Sequence, residues 1–145
     1  MKSKIKSFMT PFPYTIDGNA DMSEATDMMA QNKIRHLPVA EDGKLVGLVT
    51  DRDIKWAMSL LALVPPGDSE AIRIKDVMHD KPYCVDLNER IDTVAAEMAE
   101  RHIGSALVLR EEKLAGIFTS TDACKHLAEL MRRELPDLDS PPELA

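Results

Sequence analysis

The chain has 145 residues, 44% hydrophobic and 30% charged, with a formal net charge of −7. That balance excludes a disordered chain, and the acidity argues against a general binder of nucleic acid or of an anionic membrane. No run of about 18 apolar residues occurs, and the basic start Met1-Lys2-Ser3-Lys4-Ile5-Lys6 lacks a signal peptide's apolar stretch, so neither a membrane span nor export is expected.

In chain order, a short apolar segment from Ile5 to Met9 leads through prolines to a brief strand around Tyr14-Thr15-Ile16. Met22, Ala25 and Met29 recur at i, i+3, i+7 and predict a helix with one apolar stripe. Strands follow over Leu37 to Ala40 and Leu45 to Thr50, joined at Asp42-Gly43, a strong hairpin signal. A closing helix is expected from Asp51 to Leu63. Val64-Pro65-Pro66-Gly67-Asp68-Ser69 cannot continue it and opens a linker over 64–73. The series then returns. It comprises an apolar segment from Ile74 to Met78, a strand around Tyr83-Cys84-Val85 and a helix with Ile91, Val94 and Met98 on one face. Strands over Ala106 to Leu109 and Leu114 to Thr119 are joined by Arg110-Glu111-Glu112, a weaker turn signal, before a helix from Thr121 to Leu135. The tail, 136–145, is acidic and proline-rich and is expected to be disordered.

The return is a duplication. A shift of 69 places Ile5-Lys6 on Ile74-Lys75, Pro13-Tyr14 on Pro82-Tyr83, Lys44-Leu45 on Lys113-Leu114, and Thr50 and Asp53 on Thr119 and Asp122, without a gap. Roughly 30% of the aligned positions are identical, where ordinary residue frequencies give roughly 6%. Each copy (1–63 and 74–135) reads strand, helix, strand, strand, helix, too small a unit to bury both faces alone. The expected fold is therefore α/β, two βαββα repeats packed sheet to sheet with pseudo-twofold symmetry.

Each copy also repeats the string glycine, apolar, any, Thr or Ser, any, any, Asp, as Gly47-Leu48-Val49-Thr50-Asp51-Arg52-Asp53 and Gly116-Ile117-Phe118-Thr119-Ser120-Thr121-Asp122. A strand ending at the threonine hands over to a helix N-terminus, where unpaired N–H groups favour an anion. An ionised Asp only accepts hydrogen bonds and so suits the paired hydroxyls of a ribose, while the glycine clears space for a ligand or another backbone. The same Thr-x-x-Asp spacing is equally a capping box, which needs no ligand.

These two strings in register, with the upstream Met and Pro of each copy, resemble the tandem CBS domain pair, or Bateman module, over about residues 4 to 134. The resemblance implies a stand-alone regulatory protein of bacterial type that binds AMP, ADP, ATP, S-adenosylmethionine or NAD in clefts between the copies. No cofactor is required. It implies Asp53 and Asp122 as ribose ligands, with Thr50 and Thr119 beside them. Adenine would lie among Arg35-His36-Leu37 and Gly104-Ser105-Ala106 and the opposite first strands, Tyr14-Thr15-Ile16 and Tyr83-Cys84-Val85, with Ile16 and Val85 placed to sandwich a base or to serve as core. Arg35-His36 and Arg52 have uncharged counterparts in Gly104-Ser105 and Thr121, so the two clefts are expected to differ in phosphate affinity. A homodimer is implied, as is a separate regulated partner. The alternative is a structural or dimerising module with empty clefts.

Other chemistry has little support. Cys84 and Cys124 are the only cysteines, which fits a reducing cytoplasm. His36, His79, His102 and His126 have no metal-ligand spacing, and no nucleophile, base and orienting group come together, so neither a metal site nor an enzyme is expected. Trp56 on the closing helix reads as packing or a dimer contact.

Overall fold

The computed structural model describes residues 3–65, 67 and 72–135. The expected tail and part of the expected linker therefore lie outside the described residues. A short 3₁₀ turn, Ile5–Ser7, opens the chain, followed by β1 (Thr10–Pro11), β2 (Ile16–Asp17), α1 (Met22–Asn32), β3 (His36–Glu41), β4 (Lys44–Thr50) and α2 (Asp51–Leu61). The second copy supplies α3 (Ile74–Val77), β5 (Cys84–Asp86), α4 (Ile91–Arg101), β6 (Ser105–Arg110), β7 (Lys113–Thr119) and α5 (Ser120–Glu134).

Local chemistry sets the ends of these elements. Asp21 caps α1 by accepting from the Glu24 amide at 2.9 Å, a bond that holds its carboxyl below the usual range. Both α1 and α4 stop at a residue in the left-handed region, Lys33 and His102, each with φ of 54° and neither a glycine. The β3–β4 hairpin turns at Asp42-Gly43 with φ of 50° and 76°. The weaker signal in the second copy makes the same two-residue turn, with Glu111 and Glu112 forced to φ of 49° and 68°.

Two sheets result, one ordered β2-β3-β4 and the other β1-β7-β6-β5. In each copy a parallel pair (β2–β3, β5–β6) adjoins the antiparallel hairpin. The sheets meet through Leu48, Leu107 and Ile117. Sheet faces sheet, as the duplication requires.

The opening segments are exchanged between the copies. Ile5 is fully buried among Val94, Met98, Val108 and Phe118 of the second copy, while Ile74 is fully buried with Ala25, Met29, Leu37 and Ile54 of the first. Backbone bonds pin both crossings: the Ile5 amide donates to the Glu89 carbonyl and the Ile74 amide to the Ala20 carbonyl. β1 then pairs with β7, Thr10 opposite Ile117, and His79 makes the matching bridge to Leu48 of β4 through two bonds of 2.9 and 2.8 Å. The motif glycines permit this approach. A Cβ on Gly47 would lie 2.6 Å from the His79 carbonyl oxygen, and one on Gly116 would lie 2.9 Å from that of Thr10. Of the two roles open to the glycine, the structure uses the passage of another backbone.

Candidate functional site: paired clefts between the copies

Each cleft is built outward from a strand-to-helix junction. β4 ends at Thr50 and α2 starts at once; Thr50 Oγ1 accepts from the Asp53 amide at 3.2 Å, and Asp53 Oδ2 accepts from the Thr50 amide and hydroxyl at 2.9 and 2.8 Å. The β7–α5 junction repeats this, with Asp122 Oδ2 accepting from the Thr119 amide and hydroxyl at 3.0 and 3.1 Å. Both capping boxes are therefore formed. They occupy one carboxylate oxygen of each aspartate and leave Oδ1 turned away from the cap. Asp53 Oδ1 meets His79 Nε2 at 3.0 Å, and Asp122 Oδ1 accepts from Thr10 Oγ1 at a long 3.4 Å. His79 and Thr10 are equivalent under the 69-residue shift, delivered by the exchanged segments.

A cavity of about 670 Å³ opens beside Thr50 and Asp53, and one of about 880 Å³ beside Thr119 and Asp122. The first gathers Arg52 from its own copy and Tyr83, Gly104 and Ser105 from the other. The second gathers Tyr14, Arg35 and His36 around Thr119 and Asp122. Ile16, Leu37 and Ala106 do not line either cavity; they are buried in the cores, and Val85 packs on the second core. Strand alternation accounts for Leu37 and Ala106, the neighbours of the lining His36 and Ser105. Tyr14 and Tyr83 reach the clefts from the segments just before β2 and β5, so Ile16 and Val85 inside those strands do not follow them.

Several lining residues were not singled out from the sequence. The Asp53 cleft adds His79, Lys81, Arg101 and His102; the Asp122 cleft adds Thr10, Phe12, Lys33 and Lys125. The repeat register held a signal for some of them, since it sets Thr10 on His79 and Lys33 on His102. With Lys81 and Arg101 each cleft holds three Lys or Arg side chains in a chain of net charge −7. Asp51 joins Asp53 in the first cleft, while Asp122 is the only acid among the described residues lining the second, so the charge of the two clefts still differs. The Arg101 guanidinium lies 4.9 Å from the Tyr83 ring centroid. Phe12 is 92% exposed and held at φ of 49°, a strained setting for an aromatic residue.

His36 lines both cavities. Burial lowers its pKa, with Asp51 opposing and Arg35 adding to the effect, so the ring is neutral at neutral pH. Gly104 leaves room for it, since a Cβ there would stand 3.2 Å from His36 Nε2. Burial also raises the Cys84 thiol pKa, which suits packing better than nucleophilic chemistry. Among the described residues no helix is long and apolar enough to cross a membrane, and no three His, Cys, Asp or Glu are grouped to hold a metal ion.

The chain is similar to several known proteins in sequence or in structure. Hypoxic response protein 1 of Mycobacterium tuberculosis is 32% identical over 109 residues, 74% of this chain and 73% of that protein. AcuB of Vibrio cholerae superposes with a TM-score of 0.80 at 26% identity, covering 97% of this chain and all of that one. The CBS domain pair of protein MJ0100, solved in complex with 5′-methylthioadenosine and S-adenosyl-L-methionine, superposes with a TM-score of 0.77 at 25% identity, over 88% and 98% of the two chains. A sequence profile of the CBS domain matches residues 5–60 and 74–129, and the chain belongs to that family, with two CBS domains in tandem.

Proposed function

We propose that this protein is a regulatory sensor that binds an adenosine-containing ligand in the clefts between its CBS domains and does not transform it. Asp53 and Asp122 accept from the ribose hydroxyls. The N-termini of α2 and α5, with Arg52, Lys81 and Arg101 in one cleft and Lys33, Arg35 and Lys125 in the other, receive phosphate or another anionic group. Tyr83 and Tyr14 flank the base. The observation that carries this reading is the same in both copies: one aspartate oxygen is spent on the helix cap, and the other faces a basic cleft closed by the opposite copy. The adenosine compounds bound by the MJ0100 pair support it. The apolar side chains that α2 and α5 expose, Trp56, Leu60, Leu127 and Leu130 among them, suit a homodimer in the cytoplasm whose packing passes cleft occupancy to an effector.

The test is a thermal-shift panel with AMP, ADP, ATP, S-adenosylmethionine and NAD on wild type, Asp53→Asn and Asp122→Asn. Asparagine keeps a cap acceptor but loses a carboxylate's capacity for two ribose donors. A ligand at 100 times its dissociation constant adds about 2.7 kcal/mol, which moves the midpoint by roughly 5–10 °C at this size. A shift from one ligand, reduced in at least one variant, is expected. Complete capping boxes also suit a structural module with empty clefts; no shift from any ligand would favour that reading.

A further inference from the structure

The two clefts differ in the group that meets the free aspartate oxygen. At equivalent positions of the exchanged segments, the Asp53 cleft carries an imidazole and the Asp122 cleft a threonine hydroxyl. His79 Nε2 sits 3.0 Å from the Asp53 oxygen that the cap leaves free, and Asp53 is only 19% exposed at its side chain, so few other donors reach that oxygen. The backbone behind His79 is fixed by its two bonds to Leu48 and by the close pass over Gly47. The ring itself is 63% exposed and free to swing away. In the other cleft Thr10 makes a longer contact of 3.4 Å, which a ribose hydroxyl displaces with less loss.

We infer that His79 makes the Asp53 cleft select phosphorylated over unphosphorylated adenosine, by competing with the ribose for Asp53 Oδ1. The inference rests on the ligand reading above. A ribose that takes Oδ1 must evict the imidazole. When the ligand carries a phosphate, the evicted ring has an anionic acceptor within the same cleft. When the ligand is adenosine, it has only water, and the lost contact is not replaced. A hydrogen bond of this kind is worth about a three- to ten-fold change in affinity.

Isothermal titration with adenosine and with AMP tests this in Asp122→Asn, which leaves the Asp53 cleft to report alone. Adding His79→Thr, the residue type of the other cleft, is expected to tighten adenosine binding three- to ten-fold and to shrink the preference for AMP by at least three-fold. The mirror change, Thr10→His in Asp53→Asn, is expected to weaken adenosine in the Asp122 cleft. A purely structural role for His79 predicts neither the gain nor its mirror. Adenosine affinity that is unchanged or weaker in His79→Thr, while wild type still binds, overturns this inference alone. No heat from either compound on wild type overturns the ligand reading, and the role of His79 falls with it.

Discussion

Replacing Gly47 with alanine tests how the exchanged segment is seated. The added Cβ would lie 2.6 Å from both the His79 carbonyl oxygen and the Met78 sulfur. Backbone yields less readily than a side-chain tip, so the segment must retreat by roughly 1 Å to reach ordinary contact. That retreat stretches the two bonds between Leu48 and His79, now 2.9 and 2.8 Å. Overpacking costs about 1–3 kcal/mol and each weakened hydrogen bond about 1 kcal/mol. A loss of about 3–5 kcal/mol is expected, a fall of roughly 6–20 °C in melting midpoint. Gly43→Ala is the control, because its φ of 76° is unfavourable for alanine but nothing lies within 4 Å, so its cost is about 1 kcal/mol. Urea unfolding followed by circular dichroism compares the two. If Gly47→Ala proves no less stable than Gly43→Ala, the His79 carbonyl does not pass against Gly47 and the account of the exchange is wrong.

Other features make shorter predictions. Glu111→Asn with Glu112→Gly gives the β6–β7 turn residues suited to its positive φ angles and should stabilise the protein by about 1–2 kcal/mol in the same unfolding assay; no gain would contradict the turn geometry. His36 has a folded pKa below that of an unfolded histidine, so the unfolded chain takes up its proton first as pH falls. Stability from this group is present above about pH 6.5 and is lost as pH drops below that value, levelling off under the folded pKa. Wild type should therefore lose more melting temperature than His36→Asn between about pH 7.5 and pH 5, and equal losses would refute the burial effect. The exposed stripe on α2, with Trp56 68% accessible, predicts a light-scattering mass twice 16.1 kDa and a monomer for Trp56→Glu with Leu60→Glu. A wild-type mass near 16.1 kDa would remove the dimer.

The repeat, the apolar stripes of α1 and α4 and the two strand-to-helix junctions were legible because each is a local pattern of period 3.6 or 2 or a direct alignment. The exchange of opening segments was not. Ile5 and Ile74 are the same residue in the same register, so apolarity shows that both are buried without showing in which copy's core. The capping junctions beside the candidate clefts were legible, and the walls of those clefts less so. Thr50, Asp53, Thr119 and Asp122 belong to a contiguous string, whereas His79 and Thr10 reach the clefts only through the exchange. Lys33 and His102 hold left-handed cap positions that glycine or asparagine usually marks. Leu37 and Ala106 turn into the cores because a one-residue step along a strand reverses its face, and Ile16 and Val85 do so because the tyrosines two residues earlier lie before the strands begin. The Glu111-Glu112 turn lacked a glycine, so only the spacing of its strands hinted at the tight loop.

The most direct measurement is an isothermal titration of AMP into wild type and into the double variant Asp53→Asn with Asp122→Asn. The account predicts saturable binding to wild type, and loss of that binding in a double variant whose melting curve still shows a folded protein. Undiminished binding by the folded double variant, or none by wild type, would contradict the assignment of these two aspartates as ribose ligands.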